Sequence, residues 1–134
     1  DFSDSARYAV DQAAELVQPG GAITLLHVIE LPVAYSGEVP IPGLERDLDK
    51  RSSGALDEEA ARLKRQTTAT VGVRSRIGYP GAQTLAVVDD DRSVDLVVMG
   101  SHGRTGIKRA LLGSVAEKVV RHARCPVFVA RKRA

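Results

Sequence analysis

The fold of this chain is constrained most by a regular alternation of strand-like and helix-like segments along its 134 residues. Strand-like runs, mostly apolar and rich in β-branched residues, cover residues 22–28, 70–78, 94–100 and 125–131. Helical patterns cover residues 4–17, 44–66, 80–91 and 114–123. Strands that alternate with helices are joined by right-handed crossovers. The pattern therefore predicts a single α/β domain over residues 1–134, with an open, mainly parallel sheet and helices on both faces.

The order of the segments begins with a helix, whereas α/β units begin with a strand. The opening residues, DFSDS, are typical of the loop that follows a strand and leads into a helix. We therefore expect a first strand upstream of Asp1, with Asp1 at its carboxyl end. In open α/β sheets that end of the strands is the edge where ligands bind.

Composition narrows the class of protein. The 19 basic and 17 acidic side chains give a formal net charge of +2, which does not favour nucleic-acid binding. Aromatic residues make up 4% of the chain, too few for a base-stacking platform, so the basic residues 131–133 are interpreted as a solvated tail. The single cysteine, Cys125, excludes an intrachain disulfide, and no apolar run reaches the roughly 18 residues of a membrane span. We expect a cytoplasmic protein that binds neither nucleic acid nor membrane.

A glycine-rich segment, VVMGSHGRTGIKRALLGSVAEK at residues 97–118, joins the third predicted strand to the fourth predicted helix. Backbone without Cβ atoms can approach a ligand closely, and free N–H groups at a strand-to-helix junction bind anions. Three cations in the same segment favour a phosphate group as the ligand. The glycines are Gly100, Gly103, Gly106 and Gly113, and the cations are Arg104, Lys108 and Arg109.

The common phosphate motifs do not match this segment. Ile107 follows Gly106 where a P-loop has lysine, and the glycine spacing differs from the dinucleotide fingerprint. Each part of this segment could also have a purely structural role, without any ligand. Ser114 and Glu117 have the spacing of a capping box, in which the serine hydroxyl closes the start of the fourth helix. The glycines could serve only as turns, and the cations as solvated charges.

The other polar residues show no catalytic or metal-ligand spacing. His102 has no orienting partner or nucleophile that the sequence identifies, and it is interpreted as a solvated loop residue. His27 is interpreted as a core histidine, and Cys125 as a small buried hydrophobe. The acidic run at residues 89–91 has the composition of a magnesium cluster, but we interpret it as a solvated turn that ends the third helix.

The spacing of Gly100, Gly103, Gly113 and Ser114, G-x2-G-x9-G-S, resembles the nucleotide-binding signature of the universal stress protein family. The segments DFSDSARYAVDQAAEL, ITLLHVIE, DLVVMG and SVAEKVVRHARCPVFVAR also resemble that family, so the resemblance covers nearly the whole chain. It implies a Rossmann-like or flavodoxin-like fold with parallel strands in the order 3-2-1-4-5, in which the strand expected before Asp1 is central.

The resemblance also implies an ATP site and a homodimer. Adenine would lie between Asp1 and Val28, and Mg²⁺ would be held through the phosphates. Ribose and phosphates would contact the glycine-rich loop, which supplies Gly100, Gly103, Arg104, Gly113 and Ser114. At Gly113 we expect a close approach to phosphate or a conformation open only to glycine. The dimer would pair the last strand, Val127, Phe128, Val129 and Ala130, with its copy, which covers an apolar edge.

The favoured hypothesis is an ATP-binding regulatory protein of the stress response, in which the nucleotide acts as a switch. The P-loop lysine and an evident base for the attacking water are absent, which argues against dedicated catalysis and leaves slow hydrolysis open. A dimeric interaction or scaffold protein with a vestigial nucleotide loop is the alternative. An enzyme of the adenine-nucleotide α-hydrolase type is disfavoured, because the loop DFSDS lacks glycine.

Overall fold

The computed structural model describes residues 1–30, 43–102 and 112–131, and these form eight elements. In chain order they are α1 (Asp4–Leu16), β1 (Ala22–Ile29), α2 (Leu44–Lys64), β2 (Thr70–Ile77), α3 (Pro80–Asp90), β3 (Val97–Gly100), α4 (Ser114–His122) and β4 (Val127–Ala130). The predicted order of helices and strands is therefore confirmed. The third and fourth strands are shorter than the apolar runs that predicted them.

The strands form two parallel pairs. β1 pairs with β2 in a register that runs from Ala22 opposite Thr70 to Ile29 opposite Ile77. β3 pairs with β4 from Val97 opposite Val127 onward. Among the described residues no ladder joins β1 to β3. The α/β prediction is confirmed, and the two half-sheets have the positions of strands 3-2 and 4-5 in the predicted order, with a slot between them.

The hydrogen-bond pattern shows which backbone groups face that slot. The carbonyls of Gly21 and Ile29 accept N–H groups of the β2 side, so the odd-numbered residues of β1 point their backbone groups at β2. The even-numbered residues, including Leu26 and Val28, therefore point their N–H and C=O groups into the slot. By the same alternation Val98 faces the slot from β3, because the N–H groups of the odd-numbered residues Val97 and Ser101 bond to the β4 side.

The main core lies where α1 and α2 cover the first half-sheet. Leu25 of β1 packs with three buried residues of α2, and Val10 and Ala14 of α1 pack against the same cluster. The α2 residues are Leu56, Ala60 and Leu63. α3 packs against α4 and β1, on the face that the right-handed crossovers leave for this second helix pair. α1 contacts both half-sheets, so the position of its first turn is fixed relative to both of them.

Two arginines make hydrogen bonds that hold helices in place, one between α2 and α1 and one at the C-terminal end of α3. Arg62 of α2 donates to Glu59 at 2.6 Å and reaches across to Asp11 of α1 at 2.7 Å. The hydrogen bond to Glu59, followed by that to Asp11, raises the pKa of Arg62 against the opposing effect of its partial burial. Arg124 donates to the carbonyls of Val88 and Asp91, which close the C-terminal end of α3.

The acidic run at residues 89–91 ends α3 as predicted. Asp91 is the C-cap, and its carboxylate accepts from both the backbone N–H and the hydroxyl of Ser93. These hydrogen bonds, the hydroxyl first, lower the pKa of Asp91. Asp90 and Asp91 also lie 3.9 and 3.4 Å from Arg76 and Arg74 of β2. The run is thus a helix end tied to the neighbouring strand.

The two helices that start at the slot begin in different ways. At α1 the hydroxyl of Ser3 accepts the N–H of Ala6 at 3.2 Å and caps the helix. At α4 the N-cap is Gly113, whose carbonyl accepts the N–H of Glu117, and no side chain within the described ranges caps the helix. The predicted capping box is therefore wrong. Ser114 is already the first helical residue, one position too far along for its hydroxyl to cap, and Glu117 pairs with Arg121 instead.

The different helix starts predict different stability effects for two serine-to-alanine substitutions. Ser3→Ala should lower the free energy of unfolding by about 1 kcal/mol, because it removes a capping hydroxyl. Ser114→Ala should change it by less than about 0.5 kcal/mol, because the exposed hydroxyl caps nothing. Urea unfolding of both variants measures the difference. Equal losses would contradict the structure and restore the capping box.

The slot between the half-sheets predicts a central strand. In a chain extended before Asp1, the preceding residues should pair in parallel with β1 and β3, because a βαβ crossover through α1 requires a strand there. Hydrogen exchange should then show protected amides at Leu26 and Val98, which face the slot. The amide of Ile23, which faces β2, is the control and should be protected with or without the extension. Fast exchange at both slot amides of the extended chain would contradict the prediction.

Candidate functional site

The candidate site lies at the carboxyl ends of β1 and β3, where the first five residues of the chain bridge the two half-sheets. The ring of Phe2 lies 4.6 Å from that of His27 near the end of β1, centroid to centroid. Ser5 lies against Gly100 at the end of β3. Strand order reverses at this point, and in open α/β sheets such a crevice is where ligands bind.

Gly100 allows the closest approach in this region. A Cβ atom at this position would lie 2.5 Å from the hydroxyl oxygen of Ser5 and 2.9 Å from its backbone carbonyl atoms. Only glycine leaves room for the first turn of α1 to pack against the end of β3. Ligand contact by Gly100 stays a prediction, and the structure supplies a separate packing reason for glycine at this position.

Ser101 fastens the base of the glycine-rich loop. Its N–H donates to the carbonyl of Ala130 at 3.1 Å, which extends the β3–β4 ladder by one bond. Its carbonyl accepts the N–H of Gly113 at 2.9 Å. The two ends of the segment between β3 and α4 are therefore held together by one backbone hydrogen bond, which places the start of α4 beside the end of β3.

Gly113 is constrained by space and not by its dihedral angles. Its φ of −64° and ψ of 152° are an extended conformation that any residue adopts, so the expected glycine-only conformation is wrong. A Cβ atom here would lie 3.1 Å from the carbonyl oxygen of Ser101, tighter than an ordinary contact. The close contact at Gly113 in the structure is with the Ser101 backbone, and the predicted approach to phosphate stays a prediction.

The start of α4 presents N–H groups to the site. The first-turn amides of Ser114, Val115 and Ala116 precede the first intrahelical bond, which Glu117 donates to Gly113. No side chain of the described residues caps this helix, so these amides and the helix dipole make the N-terminal end of α4 electropositive. This arrangement can bind an anion at the edge of the slot.

Asp1 and Val28 are the residues predicted for the other half of the site. A carboxylate oxygen of Asp1 accepts the N–H of Ser3 at 3.0 Å, which folds the first residues into a turn ahead of α1. Val28 follows His27 on β1 and points its backbone groups into the slot. The contact between Phe2 and His27 therefore links the residues next to Asp1 and Val28, which the sequence analysis assigned to one ligand.

Two side-chain pairs at the site were not found from the sequence. Phe2 against His27 is one, although His27 is buried as predicted, at 5% exposure. The other is Ser101 with His102, whose Nδ1 lies 2.9 Å from the buried hydroxyl of Ser101. His102 has intermediate exposure, so its ring is only partly solvated. Adjacent residues of one loop give no periodicity that would reveal such a pair.

The remaining residues predicted for the glycine-rich loop lie outside the described residues. Gly103 and Arg104 fall outside the described residues, as do Gly106, Lys108 and Arg109. A cavity of about 510 Å³ lies between the first half of α2 and the end of β2, and none of the predicted site residues lines it. Within the described ranges no group of His, Cys, Asp and Glu is arranged to hold a metal ion, and no helix is long and apolar enough to cross a membrane.

Comparison with known sequences gives consistent matches over the full chain. The model of the universal stress protein family matches residues 1–131. Universal stress protein A homolog 1 of Coxiella burnetii is 35% identical, and the alignment covers 96% of this chain and 89% of that protein. Universal stress protein MJ0531 of Methanocaldococcus jannaschii is 30% identical, with 96% of this chain and 74% of that protein covered.

Solved structures share the fold. Protein MJ0577 superposes with a TM-score of 0.83 at 28% identity, over 100% of this chain and 93% of that one. A universal stress protein in complex with cAMP gives 0.72 at 23% identity, over 98% and 92% of the two chains. A family protein of Arabidopsis thaliana with AMP bound gives 0.62 at 18% identity, over 97% and 80%. Family model, relatives and fold agree, and this chain belongs to the universal stress protein family.

Proposed function

We propose that this protein binds ATP at the junction of the two half-sheets and that binding serves as a regulatory switch in a cytoplasmic stress response. The observation that carries the proposal is the meeting of two helix starts and two strand ends at one edge. Ser5 of α1 packs on Gly100, and Gly113 before α4 bonds to Ser101. A nucleotide has an anionic end and a base end, and the edge offers a matching surface for each.

The phosphates fit the α4 side of the edge. The uncapped first turn of α4 and the backbone at Gly113 supply N–H donors, and the cations Arg104, Lys108 and Arg109 belong to the same segment of the sequence. The exposed hydroxyl of Ser114 is spared from capping and is available to donate to a phosphate oxygen. Mg²⁺, which supplies charge neutralisation when bound, would be held through the phosphates.

The base fits the β1 side. Val28 is the second-last residue of β1, and its backbone N–H and C=O, at the carboxyl edge of the slot, are a donor and acceptor pair that suits the edge of adenine. The Asp1 carboxylate, which accepts the N–H of Ser3, would add a further acceptor for the amino group of adenine. Two relatives in fold contain cAMP and AMP in their structures, which supports an adenine nucleotide as the ligand class. We infer a triphosphate, and not a monophosphate, from the length of the glycine-rich segment at residues 97–118, which has many N–H donors.

A switch is favoured over an enzyme because the described residues of the edge include no evident base for an attacking water. The Ser101 and His102 pair is the nearest to a catalytic arrangement, but the hydroxyl of Ser101 is buried and bonded to its own neighbour. Binding would then act by stabilising one conformation or assembly. A scaffold protein with a vestigial loop remains the alternative function.

Calorimetry with ATP and magnesium tests the phosphate half. Gly113→Val should abolish detectable binding, because its side chain would push the α4 start away from Ser101 and occupy the phosphate edge. Gly54→Val is the matched control, since a Cβ at Gly54 meets nothing within 4 Å. Asp1→Ala should weaken ATP from the base side by about tenfold or more. Circular dichroism checks that each variant is folded.

The outcomes separate the two functions. If the unsubstituted protein binds ATP and Gly113→Val binds it equally well, the phosphate site lies elsewhere. If the unsubstituted protein binds no nucleotide and releases none on denaturation, the scaffold alternative replaces the proposal. AMP and GTP titrated alongside ATP show whether the phosphates or the base carry most of the affinity.

We further propose a homodimer through the outer edge of β4. This strand pairs with β3 on one side only among the described residues, and its Phe128 is 38% exposed. An unpaired edge with apolar side chains needs a cover. The carbonyls of Pro126 and Ala130 bond to β3, so even-numbered residues of the strand point their N–H groups inward and Val129 points its N–H outward.

That alternation sharpens the choice of variant. Val129→Pro should remove an outward donor and shift the protein towards monomer while the fold persists, because proline is tolerated where an edge N–H faces outward. Val129→Ala keeps the donor and is the control. Phe128→Pro is unsuitable, since it would break the internal ladder. Light scattering after size exclusion measures the mass, and a monomeric unsubstituted protein would contradict the dimer.

A further inference from the structure

Phe2 has a backbone conformation that L side chains rarely adopt. Its φ of 57° is the positive value found at no other non-glycine residue in the described part of the chain. The left-handed region is unfavourable for a bulky residue, and such a conformation persists only where surrounding contacts hold it. Glycine would adopt it freely, so the presence of phenylalanine requires a contact that offsets the strain.

The contact is the ring of His27. The two rings lie 4.6 Å apart with an interplanar angle of 37°, a tilted arrangement within the range of favourable aromatic pairs. His27 is 5% exposed and lies near the carboxyl end of the β1–β2 ladder, where it is paired in register with Ser75, so its backbone position is fixed by the sheet. Phe2 is itself 38% exposed, which leaves part of its ring at the edge of the site.

The strained residue lies inside a short chain of hydrogen bonds. Asp1 accepts the N–H of Ser3 across Phe2, and Ser3 in turn accepts the N–H of Ala6 in the first turn of α1. The turn at Phe2 therefore sets where the Asp1 carboxylate lies relative to the helix. The ring contact sets where it lies relative to β1.

We propose that Phe2 is a positioning residue for the base-binding half of the site. The packing of its ring on His27 holds the left-handed turn, and the turn keeps the Asp1 carboxylate at a fixed distance from the backbone of Val28. Those two groups read opposite sides of the base. Their spacing therefore determines the preference for adenine, which presents an amino group where guanine presents a carbonyl oxygen. The inference rests on the proposed nucleotide site.

Three ligands separate this role from a general effect on folding. ATP and GTP report the base half, and inorganic tripolyphosphate, which has no base, reports the phosphate half alone. Phe2→Ala keeps the backbone strain and loses the ring, so ATP affinity should fall about tenfold and the ratio of ATP to GTP affinity should fall with it. Tripolyphosphate affinity should be unchanged. Phe2→Gly also loses the ring but adopts the turn without strain, so its ATP affinity should lie between those of Phe2→Ala and the parent.

Leu16→Ala is the matched control. Leu16 lies at the other end of α1 and is 39% exposed, close to the exposure of Phe2, so its truncation should leave both the affinities and the ATP-to-GTP ratio unchanged. A ring-current shift on the His27 protons, present in the parent and absent in Phe2→Ala, checks that the contact exists in solution without any ligand.

Each outcome has one meaning. A parent that binds neither ATP nor tripolyphosphate contradicts the proposed function, whatever the variants do. A parent that binds ATP together with Phe2→Ala that keeps the parent's ATP-to-GTP ratio overturns the positioning role. Equal losses of ATP and tripolyphosphate in Phe2→Ala also overturn it, because they indicate a disturbance of the whole edge. An unshifted His27 spectrum in the parent removes the contact on which the inference stands.

Discussion

The close contact between Ser5 and Gly100 is the constraint on which the site depends. It places the first turn of α1 directly on the end of β3, with no room for a Cβ atom between them. The same helix packs its later turns on the first half-sheet. One rigid helix therefore sets the position of β3 and β4 relative to β1 and β2. The edge where the two pairs meet, and any ligand bound across it, inherits that geometry.

The two halves of the proposed nucleotide site are held by different kinds of interaction. The phosphate half is fixed by backbone hydrogen bonds, since Ser101 joins β4 through its N–H and Gly113 through its carbonyl. The base half is fixed by side chains, through the rings of Phe2 and His27 and the carboxylate of Asp1. Backbone bonds depend little on residue type, whereas an aromatic contact depends on it strongly. Substitution in the base half should therefore change selectivity more readily than substitution in the phosphate half.

Regulation by a nucleotide is physically reasonable for such an arrangement. A ligand that bridges the start of α4 and the end of β1 would add a link between half-sheets that the described residues join mainly through α1. β4 carries the exposed edge and follows α4 directly in the chain. A shift in α4 on binding would be transmitted to the edge strand, and this would connect the proposed nucleotide site to the proposed dimer without any catalytic step.

The sequence by itself determined the order of the elements and the parallel character of the sheet, and it predicted a region for the site. Periodicity is a local property, and strands of 22–28 and 70–78 were recognisable because burial on a sheet acts on each residue separately. The glycine-rich segment and Asp1 predict a ligand edge, because parallel strands end at the same side of a sheet. Family resemblance added the residue assignments.

Only the tertiary structure decided how those residues are used. Ser114 has the right spacing from Glu117 to cap a helix. However, α4 begins one residue earlier than that capping box requires, because the carbonyl of Gly113 accepts the first intrahelical hydrogen bond. A side chain at Gly100 would collide with Ser5, and one at Gly113 would crowd the backbone of Ser101. Neither glycine has dihedral angles that require glycine. Phe2 pairs with His27, which lies 25 positions further along the chain. Contacts of this kind depend on how distant segments approach in space, and no local pattern in the sequence encodes that distance.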